Sequence, residues 1–232
     1  MVGTLGIAST LIGDQDPAMI EILWQCHACV VVNKPVGLPT TSPKGTDSLE
    51  SCLREQFAQA GNPVSYLTAV HRLDRPVSGL VLIALRKKAA RLLSEQFRLR
   101  HVQKKYIAMV QGNALEACKQ EPWKDTIAKL PDEARVEIVG PDSSDGRDAE
   151  TKVSFLEYDS ASDTSRIELR PITGRMHQLR IQSAHRGHPI VGDPLYGNAE
   201  DESALRLVAA KLSFRDPTNG RATDVALSSL PF

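Results

Sequence analysis

Apolar positions along the chain fall into short runs of two kinds, and their spacing predicts a mixture of strands and helices. Cys29–Asn33 is apolar and β-branched and stops at Lys34-Pro35, as a buried strand does. Gly79–Leu85 (GLVLIAL) reads as a second buried strand. Lys105–Gln111 reads as a third, with Tyr106, Ala108 and Val110 alternating against Ile107 and Met109 before Gly112. Lys152–Tyr158 and Ser165–Arg170 flank the turn DSASDT and predict a hairpin. A helix capped by Asp47 or Ser48 should run to about Ala60, where Gly61 and Pro63 end it. A second spans about Lys88 to Arg100, with Ala89, Leu92, Leu93 and Phe97 on one face and basic residues on the other. A third spans about Arg175 to His185, after Thr173-Gly174 and before Gly187. Residues 113–148 carry two prolines in PWKDTIAKLPDEA and the polar turn GPDSSDGRD, and read as hairpin and loop. The apolar run Leu205–Phe214 and a short strand near Asp224–Leu227 complete the chain. Residues 1–19 read as a loose leader and 20–232 as one domain. Without regular βαβ alternation, the order predicts an α+β fold: a mixed, largely antiparallel central sheet with flanking helices.

Composition narrows the class. Aromatic residues at 5% are too sparse for extended stacking platforms on single-stranded nucleic acid. No apolar run approaches the roughly 20 residues that cross a bilayer, so no membrane partner is expected. The first residues lack a positive n-region and are interrupted by Asp14 and Asp16, which predicts a cytoplasmic protein. Four cysteines do not make a disulfide framework in a chain this long. Cys26 and Cys29 form a C-x-x-C, but Cys52 and Cys118 stand alone and complete no zinc set, so these thiols read as small core residues.

The formal net charge is zero, which by itself argues against nucleic acid as a partner. Its distribution argues for it. Arg86–Tyr106 holds eight basic residues against Glu95 alone, and Arg166–His188 holds five arginines against Glu168. Acids gather elsewhere, at Asp142, Asp145, Asp148, Glu150, Glu157, Asp159 and Asp163. A neutral total can hide a basic face that binds phosphates.

Two stretches carry candidate chemistry. In His71-Arg72-Leu73-Asp74-Arg75-Pro76-Val77-Ser78-Gly79, a carboxylate stands between two arginines in a loop that feeds a buried strand. An adjacent guanidinium favours the ionised form of a carboxyl group, which suits a nucleophile and not a general acid. A salt bridge that ties down the loop is the plainer alternative. In Pro171-Ile172-Thr173-Gly174-Arg175-Met176-His177-Gln178-Leu179-Arg180, a Thr-Gly turn opening a helix would offer free N–H groups to an anion. The spacings of His177, His185 and His188 give no i, i+4 pair, so no metal site is expected.

HRLDRPVSG, PITGRMHQLR, GHPIVGDPLYG, VVNKPVGLPT and KKYIAMVQG together resemble the RluA family of RNA pseudouridine synthases, from about Ile20 to Leu227. The resemblance implies isomerisation of uridine to pseudouridine in tRNA or rRNA by a single mixed-sheet domain, with no metal or organic cofactor. Carried over by motif, Asp74 is the catalytic aspartate, Tyr106 the tyrosine against the target base and Arg180 the aspartate's basic partner. Arg72 takes the place of an arginine that helps displace the target nucleotide. Arg72, Arg75, Lys104, Lys105, Arg175 and His177 form the expected RNA-contacting set. The protein is expected to act as a monomer without an obligate protein partner.

The chain departs from the family pattern in three places. Val77 replaces a usual threonine, Gln182 stands where a histidine often follows HQLR, and LVAAKLSFRDPTNG lacks its usual histidines. No added S4-type RNA-binding domain is expected within the first twenty residues. Two rival readings compete. One is a non-catalytic RNA-binding or RNA-folding protein on this scaffold. The other is a metal-dependent hydrolase, which needs a second acid; Asp193 is the nearest, and it reads as a turn residue.

Overall fold

The computed structural model describes residues 19–43, 45–198, 200–201 and 203–232. Apart from residue 19, the expected leader lies outside the described residues. In chain order the elements are β1 (Glu21–Gln25), β2 (Cys29–Lys34), α1 (Leu49–Gln59), β3 (Thr68–Ala69), β4 (Ser78–Ala84), α2 (Lys87–Arg98) and β5 (Gln103–Gln111). They continue with α3 (Leu115–Lys119), β6 (Trp123–Lys129), β7 (Val136–Val139), β8 (Arg147–Asp159), β9 (Thr164–Pro171), α4 (Gln178–His185), β10 (Leu207–Arg215) and β11 (Ala222–Ala226).

The described strands form one sheet in the order β1-β2-β4-β10-β5-β9-β8-β6-β7, with β3 on β4 and β11 on β10. Only β4 and β10 run parallel; the other pairs are antiparallel. This is the α+β class expected from the sequence. Residues 113–148 are more regular than expected, supplying α3, the β6–β7 hairpin and the start of β8.

Alternation along the central strands divides the apolar residues between two faces. Val81 and Ile83 of β4 pack with Leu49, Leu53 and Phe57 of α1, in the core that also holds Tyr106, Ala108 and Val110. Leu80, Leu82 and Ala84 face the other way, onto Ala89 and Leu93 of α2. Ser48 caps α1, its hydroxyl accepting the Ser51 N–H at 3.1 Å while the Ser51 hydroxyl accepts the Ser48 N–H at 2.8 Å.

One row of the sheet places the site. Ala209 of β10 lies opposite Gly79 of β4 on one side and Tyr106 of β5 on the other. Gly79 has φ +111°, and a β-carbon there would collide with the Ala209 backbone. Glycine is therefore the residue that lets β4 start beside β10. The loop 71–77 emerges there, next to Tyr106. Cys26 and Cys29 sit at the β1–β2 turn, their thiols 3.6 Å apart, and all four cysteines are free.

Candidate active site

The loop ahead of β4 is held from below by the segment after β2. Lys34 is fully buried, and its ammonium donates to the carbonyls of Pro35 (2.8 Å), Leu38 (2.7 Å) and Arg75 (3.3 Å). Gly37 and Arg75 exchange two further bonds, Gly37 N–H to Arg75 O (3.0 Å) and Arg75 Nε–H to Gly37 O (2.8 Å). The Thr40 hydroxyl donates to Leu73 O and accepts the Leu73 N–H. A turn closed by Val77 N–H on Asp74 O (3.0 Å) then presents the Asp74 carboxylate. Val77 itself is buried in the core beneath this turn. VVNKPVGLPT is thus the platform for HRLDRPVSG, a relation that no local periodicity reveals.

His71 anchors the other end of the loop. Strand β3 pairs with β4 only at Ala84 and Ile83, and β10 joins β4 only at Ser78 and Gly79. In the gap, the Leu82 N–H donates to His71 Nε2 at 3.0 Å, so the imidazole stands in for a missing strand carbonyl. Burial, reinforced by the Lys104 charge, pushes this imidazole down to about 3. An unfolded histidine titrates near 6.5, so the unfolded chain binds the extra proton as pH falls from 6.5 toward 3. Stability from the neutral ring is complete above that window and lost through it, by up to about 1.4 kcal/mol per pH unit. His71→Gln keeps an acceptor for Leu82 without the titration. Urea unfolding at about pH 7 and about pH 4.5 should show a smaller loss of stability on acidification in the variant. An unchanged loss would mean that His71 is already charged in the folded protein.

Asp74, Tyr106 and Arg180 converge from the loop, β5 and α4 on one cavity of about 330 Å3, which Arg72, Lys104, Arg175 and His177 also line. Tyr106 is 8% exposed, and burial followed by the nearby Asp74 charge raises its hydroxyl above the ordinary range. Lys104 follows the same face of β5. Among the described residues it has no acceptor within hydrogen-bonding or ion-pairing distance, and burial lowers its ammonium below the usual lysine range.

Arg180 lies beside Asp74, and it is shared with a second, closer carboxylate. Its guanidinium binds Asp193 through two bonds, Nε to Oδ2 at 2.7 Å and Nη2 to Oδ1 at 2.6 Å, whereas Nη1 lies 3.7 Å from Asp74 Oδ2. Both members of the close pair are buried. The principal partner of Arg180 is therefore Asp193, and Asp74 sits at the second edge of an already neutralised guanidinium. Burial opposes the charge on Arg180, but the bonds and charge of Asp193 outweigh it and hold the group above its usual value. Asp193 also takes the N–H groups of Leu195 and Tyr196, so the turn reading was half of its role. The Tyr196 ring lies 5.3 Å from the Arg180 guanidinium carbon. Sequence reasoning misses Lys34, Thr40 and Tyr196, and gives Asp193 only its place in the turn. The available signal was the other quoted motifs themselves, since a buried arginine demands a carboxylate of its own.

Other expected residues fall elsewhere. Arg75 is turned to the Gly37 loop. Lys105 points to the opposite face of β5, where it pairs with Glu168 at 2.5 Å, and Arg170 holds the same carboxylate. Helix α2 packs on the core away from the cavity, so of the basic residues in the first segment Lys104 alone lines it. In the second segment Arg166 and Arg186 pair with Glu157 and Asp125. Helix α4 begins at Gln178 rather than near Arg175. Gln178 folds back to accept the Thr173 hydroxyl (2.7 Å) and the Arg175 N–H (3.0 Å), which ties the segment ahead of the helix to its first residue. The Arg175 N–H is thereby occupied, which removes it from the expected anion site. Gln182 is fully buried, accepting from Thr151 and donating to Asp125 at 2.7 Å. No group of three or more metal-ligating side chains is assembled among the described residues.

Comparison with known proteins places this arrangement. The RNA pseudouridylate synthase family model matches residues 28–185. The dual-specificity RNA pseudouridine synthase RluA of Salmonella typhi is 35% identical over 216 residues, covering 90% of this chain and 92% of its own. Ribosomal large subunit pseudouridine synthase C of Yersinia pestis is 35% identical over 210 residues, covering 86% of this chain and 62% of its own. The solved structure of human RNA pseudouridylate synthase domain containing 1 aligns with a TM-score of 0.75 at 27% identity, over 94% of this chain and 86% of that one. Its counterpart domain containing 4 gives 0.74 at 25% identity, over 91% and 88%. Fold and sequence thus define the class as RNA pseudouridine synthases, isomerases that act on RNA. Within that class, the chain belongs to the RluA family.

Proposed function

We propose that Asp74 is the carboxylate on which uridine isomerisation turns. Tyr106 stacks against the target base, and Arg180 orders the carboxylate from beneath. The observation that carries this reading is the convergence of the three on one cavity from separate elements, with unpaired Lys104 at its wall. The target base must leave its stack, which costs a few kcal/mol. Stacking on Tyr106 offsets about 1–3 kcal/mol of that. An ionised Asp74 can then attack ribose or base, or take a ribose proton as a cationic sugar forms. Each route uses the same carboxylate, which Arg180 Nη1 approaches to 3.7 Å while Asp193 holds the other edge of the guanidinium.

Residues 20–232 act in this proposal as one catalytic domain, monomeric, without metal, organic cofactor or obligate protein partner, and in the cytoplasm. No helix of the described residues is long and apolar enough to cross a membrane. The RluA relatives are called dual-specificity enzymes. We extend that property to this chain, with tRNA and rRNA as the two pools. Nucleoside analysis of each pool after separate incubation should show new pseudouridine in both; its appearance in one alone would end the dual-specificity claim, and in neither the proposal itself.

Arg72, Lys104 and Arg175 contact the RNA backbone in this reading and His177 faces the target base, while Lys105 does neither. Lys104→Met should weaken RNA binding and reduce the slope of log affinity against log salt by about one phosphate contact, whereas Lys105→Met leaves the slope unchanged. Equal slopes for wild type and Lys104→Met would remove Lys104 from the phosphate-contacting set.

A further inference from the structure

His177 is set in a way that RNA contact alone does not explain. It has φ +50°, the left-handed region that a non-glycine side chain keeps only where its surroundings enforce it. The Tyr196 hydroxyl lies 2.9 Å from His177 Nδ1, and the same oxygen accepts the Val136 N–H at 2.9 Å. The two rings meet edge to face, 5.7 Å between centroids. A phenol has one proton to donate. With Val136 donating to its oxygen, the arrangement that satisfies every group has Tyr196 donating to Nδ1. The imidazole then carries its own proton on Nε2, which faces the cavity 3.7 Å from Asp74 Oδ2. Burial holds the ring below its ordinary value against the upward pull of Asp74, which keeps it neutral.

The reaction needs such a donor. When the C1′–N1 bond breaks, its electron pair passes to the uracil and spreads onto O2 and O4. Two of the three guanidinium nitrogens of Arg180, the cation beneath the carboxylate, are already committed to Asp193. We propose that His177 is a further catalytic residue, its Nε2–H bonding a uracil carbonyl oxygen while the base is detached, with Tyr196 as the positioning residue that fixes its tautomer. The hydrogen bond transfers no proton. The electron pair that leaves C1′ with N1 is returned when C5 forms the new bond to C1′; C5 then gives up its proton to solvent and N1 takes one up, so the isomerisation balances and tritium release reads the lost C5 hydrogen. This step rests on Asp74 acting at the same site.

The test is single-turnover tritium release from RNA labelled at uracil C5, with RNA affinity and urea unfolding measured in parallel. His177→Leu should lower the saturating rate constant by about 10²–10³-fold, the usual effect of removing one oxyanion donor. RNA affinity should stay within about threefold of wild type. His177→Gln, whose amide nitrogen reaches close to the place of Nε2, should recover at least about tenfold over leucine. Tyr196→Phe should lose about tenfold in rate with RNA affinity kept, as expected for one lost orienting hydrogen bond. A kept rate constant with weakened RNA binding in His177→Leu would overturn the proposal and leave His177 a backbone contact. Equal losses in leucine and glutamine variants, with a lowered unfolding midpoint, would overturn it in favour of a structural role. Turnover surviving in Asp74→Asn would instead overturn the parent reading. Turnover kept in His177→Leu while Asp74→Asn is dead overturns only this one.

Discussion

Asp193→Ala is expected to destabilise the fold by about 3–5 kcal/mol, because it leaves the Arg180 guanidinium buried without its partner. Arg180 is 2% exposed and Asp193 1%, so water cannot replace the lost carboxylate. The same substitution removes the acceptor for the Leu195 and Tyr196 N–H groups, which loosens the turn that carries Tyr196. Activity should fall beyond what the loss of folded protein explains. A released Arg180 can close the 3.7 Å gap to Asp74 and tie up the carboxylate. Urea denaturation gives the first quantity, and turnover corrected for the folded fraction gives the second. An unfolding midpoint equal to wild type would show that the pair contributes nothing net.

Asp74→Asn should behave in the opposite way, harmless to the fold and fatal to turnover. Asp74 lies 3.7 Å from both Arg180 and His177, beyond hydrogen-bonding distance, and its side chain is 20% exposed. The turn beneath it is closed through the backbone. The amide fills the same space, so stability and RNA affinity should stay near wild type. What it removes is the ionised oxygen, and the expected loss is about 10⁴-fold, the upper end of what one positioned acid–base group contributes. Retention of more than about 1% of the wild-type rate would be too much for a residue with that role.

The central strands were legible because Cys29–Lys34 and Ser78–Ala84 are nearly continuous apolar runs, buried on both faces. Strand β1 was not, since Glu21–Gln25 is a half-exposed strand at the end of the sheet whose termini are polar. The two residues of β3 are too few to carry a period, and α3 has only five. Helix α4 starts later than the residue pattern predicts because the deciding interaction is a side chain, Gln178, bonding backward to Thr173 and Arg175. The members of the site were legible from motifs, but their pairings were not. Lys34 meets Arg75 across 41 residues, and Arg180 meets Asp193 across 13, through contacts that only the folded chain creates. Lys105 shows the converse. Its charge suggested phosphate, yet strand alternation turns it from the cavity toward Glu168.

The most direct measurement is tritium release from RNA labelled at uracil C5, comparing wild type with Asp74→Asn under conditions where both are saturated with RNA. Release by the wild type, with none above background from the variant at matched RNA occupancy, is the predicted result. Comparable release from both would contradict the placement of the chemistry at Asp74.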